Sequence, residues 1–228
     1  DDDLTWLTKH APGVAVMVPK ADNAGELAAL CERLAWRPVL PLVETADGFS
    51  AIQELAGVPG VARLVFGTID FMADTGIRCD SNESQLAPVR FAMTIASRRF
   101  GLAAPVDGVT IGIADQTQLR TDTLRSISWG FGAKLCIHPA QIQPIHEAFA
   151  PTPQEIDWAQ RVIAADRASH GAATKLEGKM VDAPVVLQAQ RDYALHRFDP
   201  NLALPSQPPL MHEADETARA VAALLDLA

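Results

Sequence analysis

An α/β fold on a parallel sheet is what this sequence predicts, and three observations carry it. Short runs rich in Val, Ile and Leu recur along the chain, helical patterns separate them, and the runs lack clean polar–apolar alternation. Strands of a parallel sheet are covered on both faces, so they read as near-continuous apolar stretches, and each needs a crossover before the next. The repeated strand–helix order implies right-handed connections.

The first run is GVAVMVPK at 13–20, followed by a helix from Gly25 to Ala35 behind Asp22-Asn23. PVLPLVET at 38–45 precedes a helix from Ser50 to Ala56. After ARLVFGTID at 62–70, the loop MADTGIRCDSNES between Phe71 and Ser84 is too long for a tight turn, and loops of that kind tend to be functional or mobile. A helix from Gln85 to Phe100 is closed by Gly101. DGVTIGIAD at 107–115 leads to a helix from Thr117 to Trp129 closed by Gly130, and AKLCIHP at 133–139 to one from Gln141 to Phe149. Thr152-Pro153-Gln154-Glu155 is a capping box with proline at the first helical position, which predicts a helix over 153–170 outside the repeating unit. DPNLALPSQPP at 199–209 reads as an extended linker, and Glu213 to Leu227 as an acidic amphipathic helix. Three segments result: a (β/α) portion over 1–150, a helix and a segment carrying EGKMVD over 151–198, and the linker with its helix over 199–228.

With 228 residues, 48% hydrophobic and 21% charged, one core is the default. The formal charge of −9, without a basic run interleaved with aromatics, argues against a nucleic-acid partner. No run reaches the roughly 18 apolar residues of a membrane span. Asp1-Asp2-Asp3 is the reverse of a basic signal region, so a soluble, cytoplasmic protein is expected. Cys31, Cys79 and Cys136 lack C-x-x-C spacing and suggest neither a disulfide framework nor zinc.

Ligands of parallel α/β folds sit at the carboxyl ends of the strands. Those ends carry Lys20, Glu44, Asp70, Asp115 and His138. Asp115 has an alternative role as a helix cap, Lys20 as a rim lysine extending to solvent, and His138 as a hydrogen-bonded structural histidine. Glu44 and Asp70 have no such local role, because Thr45 or Asp47 can cap the helix after Glu44. They end adjacent strands, where two carboxylates raise each other's pKa unless a cation intervenes. Mg²⁺ bound by both, or a structural ion-pair network, would meet that need.

Together, VMVPKADNAGEL, PLVETADGFSAIQELA, RLVFGTIDFMADTGI, GFGAKLCIHPAQI and LEGKMVDAPVV resemble the HpcH/HpaI aldolase and citrate lyase β-subunit superfamily over about residues 1–195. The likeness is greatest to its citrate lyase β-like and malyl- or citramalyl-CoA lyase branch. The resemblance implies a (β/α)₈ barrel holding Mg²⁺ through Glu44 and Asp70, with substrate contacts at Lys20, Gly67, His138 and Pro139. It implies reversible cleavage of a 3-hydroxyacyl-CoA such as malyl-, citramalyl- or citryl-CoA into an acyl-CoA and a 2-oxo acid. Gly178-Lys179-Met180-Val181-Asp182 matches the family's G-x-M-[IV]-D, which implies Asp182 as proton donor, acting in a neighbouring subunit of a homotrimer or hexamer.

Ile69 stands where many relatives are acidic, and the relatives' first three strands, with L-F-V-P-G, L-D-L-E-D and V-R-I-N, do not precede Asp1. Only five barrel strands are then visible, and about 70–90 further residues are expected upstream from the usual barrel size. Two rival readings are a CoA-independent class II pyruvate aldolase, against which EGKMVD argues, and a non-catalytic lyase-like partner subunit.

Overall fold

The computed structural model describes residues 2–11, 14–34 and 37–197. The chain divides into two compact units, 1–149 and 150–228.

Unit 1 is a five-stranded parallel sheet whose spatial order follows chain order: β1 (Val16–Val18), β2 (Val39–Val43), β3 (Val65–Phe66), β4 (Val106–Asp107) and β5 (Ala133–Lys134). Val16 pairs with Val39, Leu42 with Val65, Val65 with Val106, and Val106 with Ala133. A doubly wound sheet reverses its strand order at a switch point, and this one never does. Right-handed crossovers that always advance the same way put every helix on one side, which is the winding of a (β/α) barrel. The expected fold class is therefore met, with five βα units of the barrel in view.

The helices are α1 (Asp2–His10), α2 (Ala24–Arg33), α3 (Ala46–Ser50), α4 (Ile52–Ala56), α5 (Thr68–Thr75), α6 (Ala87–Arg99), α7 (Gln116–Ser128) and α8 (Ile142–Phe149). Side-chain caps start three of them: Asn23 accepts from the Gly25 and Glu26 amides, Thr45 from Gly48, and Asp115 from Gln118. Gly101 and Gly130 follow α6 and α7 with φ of 69° and 82°, the left-handed conformation a glycine adopts without a Cβ penalty. The core lies between sheet and helices, with Val39, Val43 and Phe66 from the strands and Leu64 just before β3 packed with Leu55, Leu86 and Met93.

Several expectations need correction. The ladders are shorter than the apolar runs, because the chain leaves the sheet early. Gly67 has φ −92° and ψ 76°, which turns β3 directly into α5 and places Asp70 in a helix, not on a strand. That helix takes up the start of the predicted 71–84 loop, and left-handed Gly76 ends it. The expected helix from Ser50 begins at Ala46 and is broken at Ala51, since Thr45 caps it one turn earlier. Finally, α1 was not foreseen; Arg37 holds its end by donating to the carbonyls of Leu7 (3.3 Å) and Ala11 (2.8 Å).

The described residues of unit 2 form α9 (Pro153–Ala168), an antiparallel hairpin of β6 (Thr174–Leu176) and β7 (Lys179–Val181), and α10 (Ala183–Arg197). The expected capping box is present, with Thr152 and Glu155 bonded in both directions. Glu177 and Gly178, at φ 50° and 79°, form a two-residue turn of the mirror-image kind that matches strand twist. Ala159, Val162, Val181, Val186 and Ala189 make its small core. The linker at 199–209 and the helix expected from Glu213 lie outside the described residues. Among the described residues no helix is long and apolar enough to cross a membrane.

Candidate functional site

Glu44 follows the last residue of β2 and is only 5% exposed. Its Oε1 accepts one hydrogen bond, from the Lys20 backbone N–H at 2.8 Å. Lys20 has φ +48°, a left-handed backbone unusual outside glycine, asparagine and aspartate, while its side chain is exposed. Among the described residues Oε2 accepts no hydrogen bond. It faces Gly67, where a Cβ would stand 2.6 Å from the Glu44 Cβ and 2.8 Å from Oε2. Glycine is thus required by this close approach. A buried carboxylate with half its acceptor capacity unused carries a desolvation cost that a cation would offset.

Asp70 lies in the first turn of α5, exposed, three residues beyond Gly67. Register places Gly67 beside Glu44, since Val43 pairs with Phe66. Gly67 offers no side-chain cap, so the first amides of α5 lack an intrahelical acceptor and form the positive end of the helix. Thr68, 2% exposed and packed against Gly108, has an Oγ1 with no hydrogen-bond partner among the described residues. Among the described residues no group of three or more His, Cys, Asp or Glu is gathered to hold a metal ion. Glu44 and Asp70 each carry hard oxygen donors, the kind that Mg²⁺ accepts alongside water and substrate oxygens.

The other strand-end residues are placed differently. Asp115 is the N-cap of α7, eight residues beyond β4, where its carboxylate accepts from the Gln118 amide at 2.9 Å. His138 is exposed four residues beyond β5. Its Nδ1 accepts from the Ala140 amide at 3.1 Å, capping a 3-10 turn that Pro139 opens.

The residues that do end β4 and β5 are Asp107 and Lys134, both buried, and strand-end reading of the sequence missed them. Asp107, 0% exposed, accepts from Arg90 Nε (3.0 Å), the Gly108 amide (2.9 Å) and Ser126 Oγ (2.6 Å). Lys134 Nζ donates to the Gly108 carbonyl at 2.6 Å. Glu83 accepts from both Arg90 and Arg125, and Arg125 also pairs with Asp122 at 2.9 Å. Burial alone would lower the pKa of the Arg90 guanidinium, but Asp107 and Glu83 outweigh it and the net shift is upward. For Lys134 burial prevails over Asp107 and Asp122, so its ammonium is pushed below the usual lysine value. The signal for Arg90 was its position between Val89 and Met93 on the core face of α6.

In unit 2, Asp182 is half-buried between β7 and α10, and its carbonyl accepts the Val186 amide at 3.0 Å. Among the described residues its carboxylate has neither hydrogen bond nor ion pair.

Residues 1–139 match the HpcH/HpaI aldolase/citrate lyase family. The chain belongs to that family. The citrate lyase subunit beta-like protein of Mycobacterium tuberculosis is 35% identical over 180 residues, covering 77% of this chain and 64% of the relative. The (3S)-malyl-CoA thioesterase of Cereibacter sphaeroides is 31% identical over 189 residues, 81% of this chain and 66% of its own. The crystal structure of Mycobacterium tuberculosis CitE with magnesium, acetoacetate and coenzyme A superposes with a TM-score of 0.73 at 32% identity, over 86% of this chain and 72% of that one. The chain thus spans a little under two-thirds of the length of these curated relatives.

Proposed function

We propose that this chain belongs to a Mg²⁺-dependent carbon–carbon lyase that reversibly cleaves a 3-hydroxyacyl-CoA, such as malyl-, citramalyl- or citryl-CoA, into an acyl-CoA and a 2-oxo acid in the cytoplasm. The observation that carries the proposal is Glu44: a buried carboxylate oriented by the Lys20 amide, with its second oxygen free beside side-chain-free Gly67 and Asp70 one helical turn on. Magnesium and coenzyme A in the related CitE support the same reading.

Bound by Glu44 and Asp70, Mg²⁺ would supply Lewis-acid polarisation of the substrate's hydroxyl or keto oxygen and carboxylate. The uncapped N-terminus of α5 offers amides to an anionic oxygen of the 2-oxo acid portion. Lys20, Gly67, His138 and Pro139 are assigned to substrate contacts around it. When the carbon–carbon bond breaks, the hydroxyl proton passes to solvent water, the O–H electrons form the carbonyl of the 2-oxo acid, and the bond's electron pair is left on the α-carbon of the acyl-CoA as its enolate. Asp182 then delivers a proton to that α-carbon, the role of an uncommitted carboxyl. We assign Asp182 to a neighbouring copy within a homotrimer or hexamer.

Incubating the full chain with malyl-CoA and Mg²⁺ tests the proposal. Glyoxylate and acetyl-CoA without free thiol are the expected products. Malate with free CoA would instead indicate thioester hydrolysis, the activity named for the Cereibacter relative, and no product from malyl-CoA, nor from citramalyl- or citryl-CoA incubated in the same way, would favour a non-catalytic subunit.

A further inference from the structure

One contact set in unit 2 is used neither by the metal centre nor by the proton transfer. Two cations lie over the indole of Trp158 on α9: the Arg161 guanidinium carbon at 5.7 Å from the ring centroid and Lys179 Nζ at 5.3 Å. Arg161 also binds the Glu177 carboxylate and, through Nε, Asp157 at 2.9 Å. The β6–β7 turn is therefore fastened to α9 on both sides of Gly178, by Glu177 through Arg161 and by Lys179 through the ring.

We propose that Trp158, Arg161 and Lys179 form a clamp that positions Asp182, resting on the reading of Asp182 as proton donor. The geometry gives the clamp leverage. Lys179 begins β7, Val181 is buried in the unit 2 core, and Asp182 is the next residue. Val181, with Leu176 of β6 packed on the same cluster, holds the hairpin at its core face, and about that hold the turn end can still rock. A second attachment two residues away removes that freedom, and Met180, between them, points outward and is 66% exposed. The two positive φ angles at Glu177 and Gly178 make the turn compact, so restraint at Glu177 is transmitted to Lys179 across the Leu176–Lys179 pair. Cation–π contacts at this surface are weak individually, so their loss should loosen the strand without unfolding the unit.

The test compares Lys179→Met, Lys179→Arg, Trp158→Leu and Trp158→Phe with Asp182→Asn in the full chain. Readouts are amide deuterium exchange of the 174–182 peptide, deuterium washing into acetyl-CoA, turnover, and Mg²⁺ affinity by calorimetry. Lys179→Met is expected to speed amide exchange and to slow turnover and washing-in about tenfold, as for a misplaced acid, with Mg²⁺ affinity unchanged. Lys179→Arg and Trp158→Phe, which keep the cation and the ring, should restore both; Trp158→Leu should not. An inactive Asp182→Asn together with unaltered exchange and rate in Lys179→Met overturns the clamp alone. A raised KM for the thioester with unchanged kcat also overturns it, making the ring and its cations a binding surface. Full turnover in Asp182→Asn overturns the reading of Asp182, and with it the clamp's bearing on the reaction.

Discussion

The backbone N–H of Lys20 meets Glu44 Oε1 at 2.8 Å, so the turn after β1 orients the carboxylate that follows β2. This bond uses one oxygen and directs the other toward Gly67. If that free oxygen and Asp70 are the metal ligands, Glu44→Gln and Asp70→Asn should each abolish Mg²⁺ binding by calorimetry. Neither should lower the melting temperature, since removing one of two like charges relieves repulsion at a metal-free site. Wild-type affinity in either variant would refute the assignment.

Gly67→Ala is a steric test of the same centre. A methyl 2.6 Å from the Glu44 Cβ must displace that side chain or the turn into α5. Overpacking of this kind costs about 1–3 kcal/mol. Urea denaturation should show that loss, and Mg²⁺ titration a weakened site.

The Arg90–Asp107 pair is buried on both sides, at 1% and 0% exposure. Arg90→Met leaves Asp107 buried with the Gly108 and Ser126 hydrogen bonds but without its ion-pair partner, and should destabilise by about 3 kcal/mol. The double variant Arg90→Met/Asp107→Leu should cost clearly less than the sum of the single changes, which a denaturation cycle measures. Additive costs would mean that the two groups act independently.

At the start of α9, bonds from the Thr152 amide and hydroxyl lower the Glu155 pKa below its usual 4.5. A depressed carboxylate contributes stability that is present above the unfolded value and lost as pH falls through the folded one. Thr152→Ala should therefore cost about 1 kcal/mol at neutral pH, and the difference from wild type should shrink below pH 4.5. A constant difference from pH 7 to pH 3 would show that the hydroxyl cap alone matters.

Placing Asp182 in a neighbouring copy predicts complementation. Glu44→Ala and Asp182→Ala chains should each be inactive, yet after subunit exchange about a quarter of the sites in an equimolar mixture pair an intact Glu44 with an intact Asp182. No recovery after verified exchange would place Asp182 in its own subunit's site or outside the reaction.

Helix ends were the most legible part of the sequence, because they are written in local chemistry. Asn23, Gly101, Gly130 and Thr152-Pro153-Gln154-Glu155 each act within one turn of where they stand. Strand ends were less so. An apolar run such as ARLVFGTID records burial, which continues into α5 through Phe71, and burial does not distinguish a ladder from the helix beside it. Glu44 was legible because no cap needed it, whereas Asp107 lay inside DGVTIGIAD and was passed over for Asp115 at its end. Arg90 was hidden for a similar reason: a helical arginine is ordinarily solvent-facing, and its buried partner stands seventeen residues away. The β6–β7 hairpin was obscured by its charged residues, with only Glu177-Gly178 to mark the turn.

The unbroken order of β1 to β5 also bears on how the chain is made. Each strand from β2 to β5 pairs with the one synthesised just before it. At about 5–20 residues per second a βα unit takes seconds to emerge, whereas helices form in roughly a microsecond. Every new unit can therefore dock on an edge already built, and the edge it covers is the one most exposed to pairing with another nascent chain.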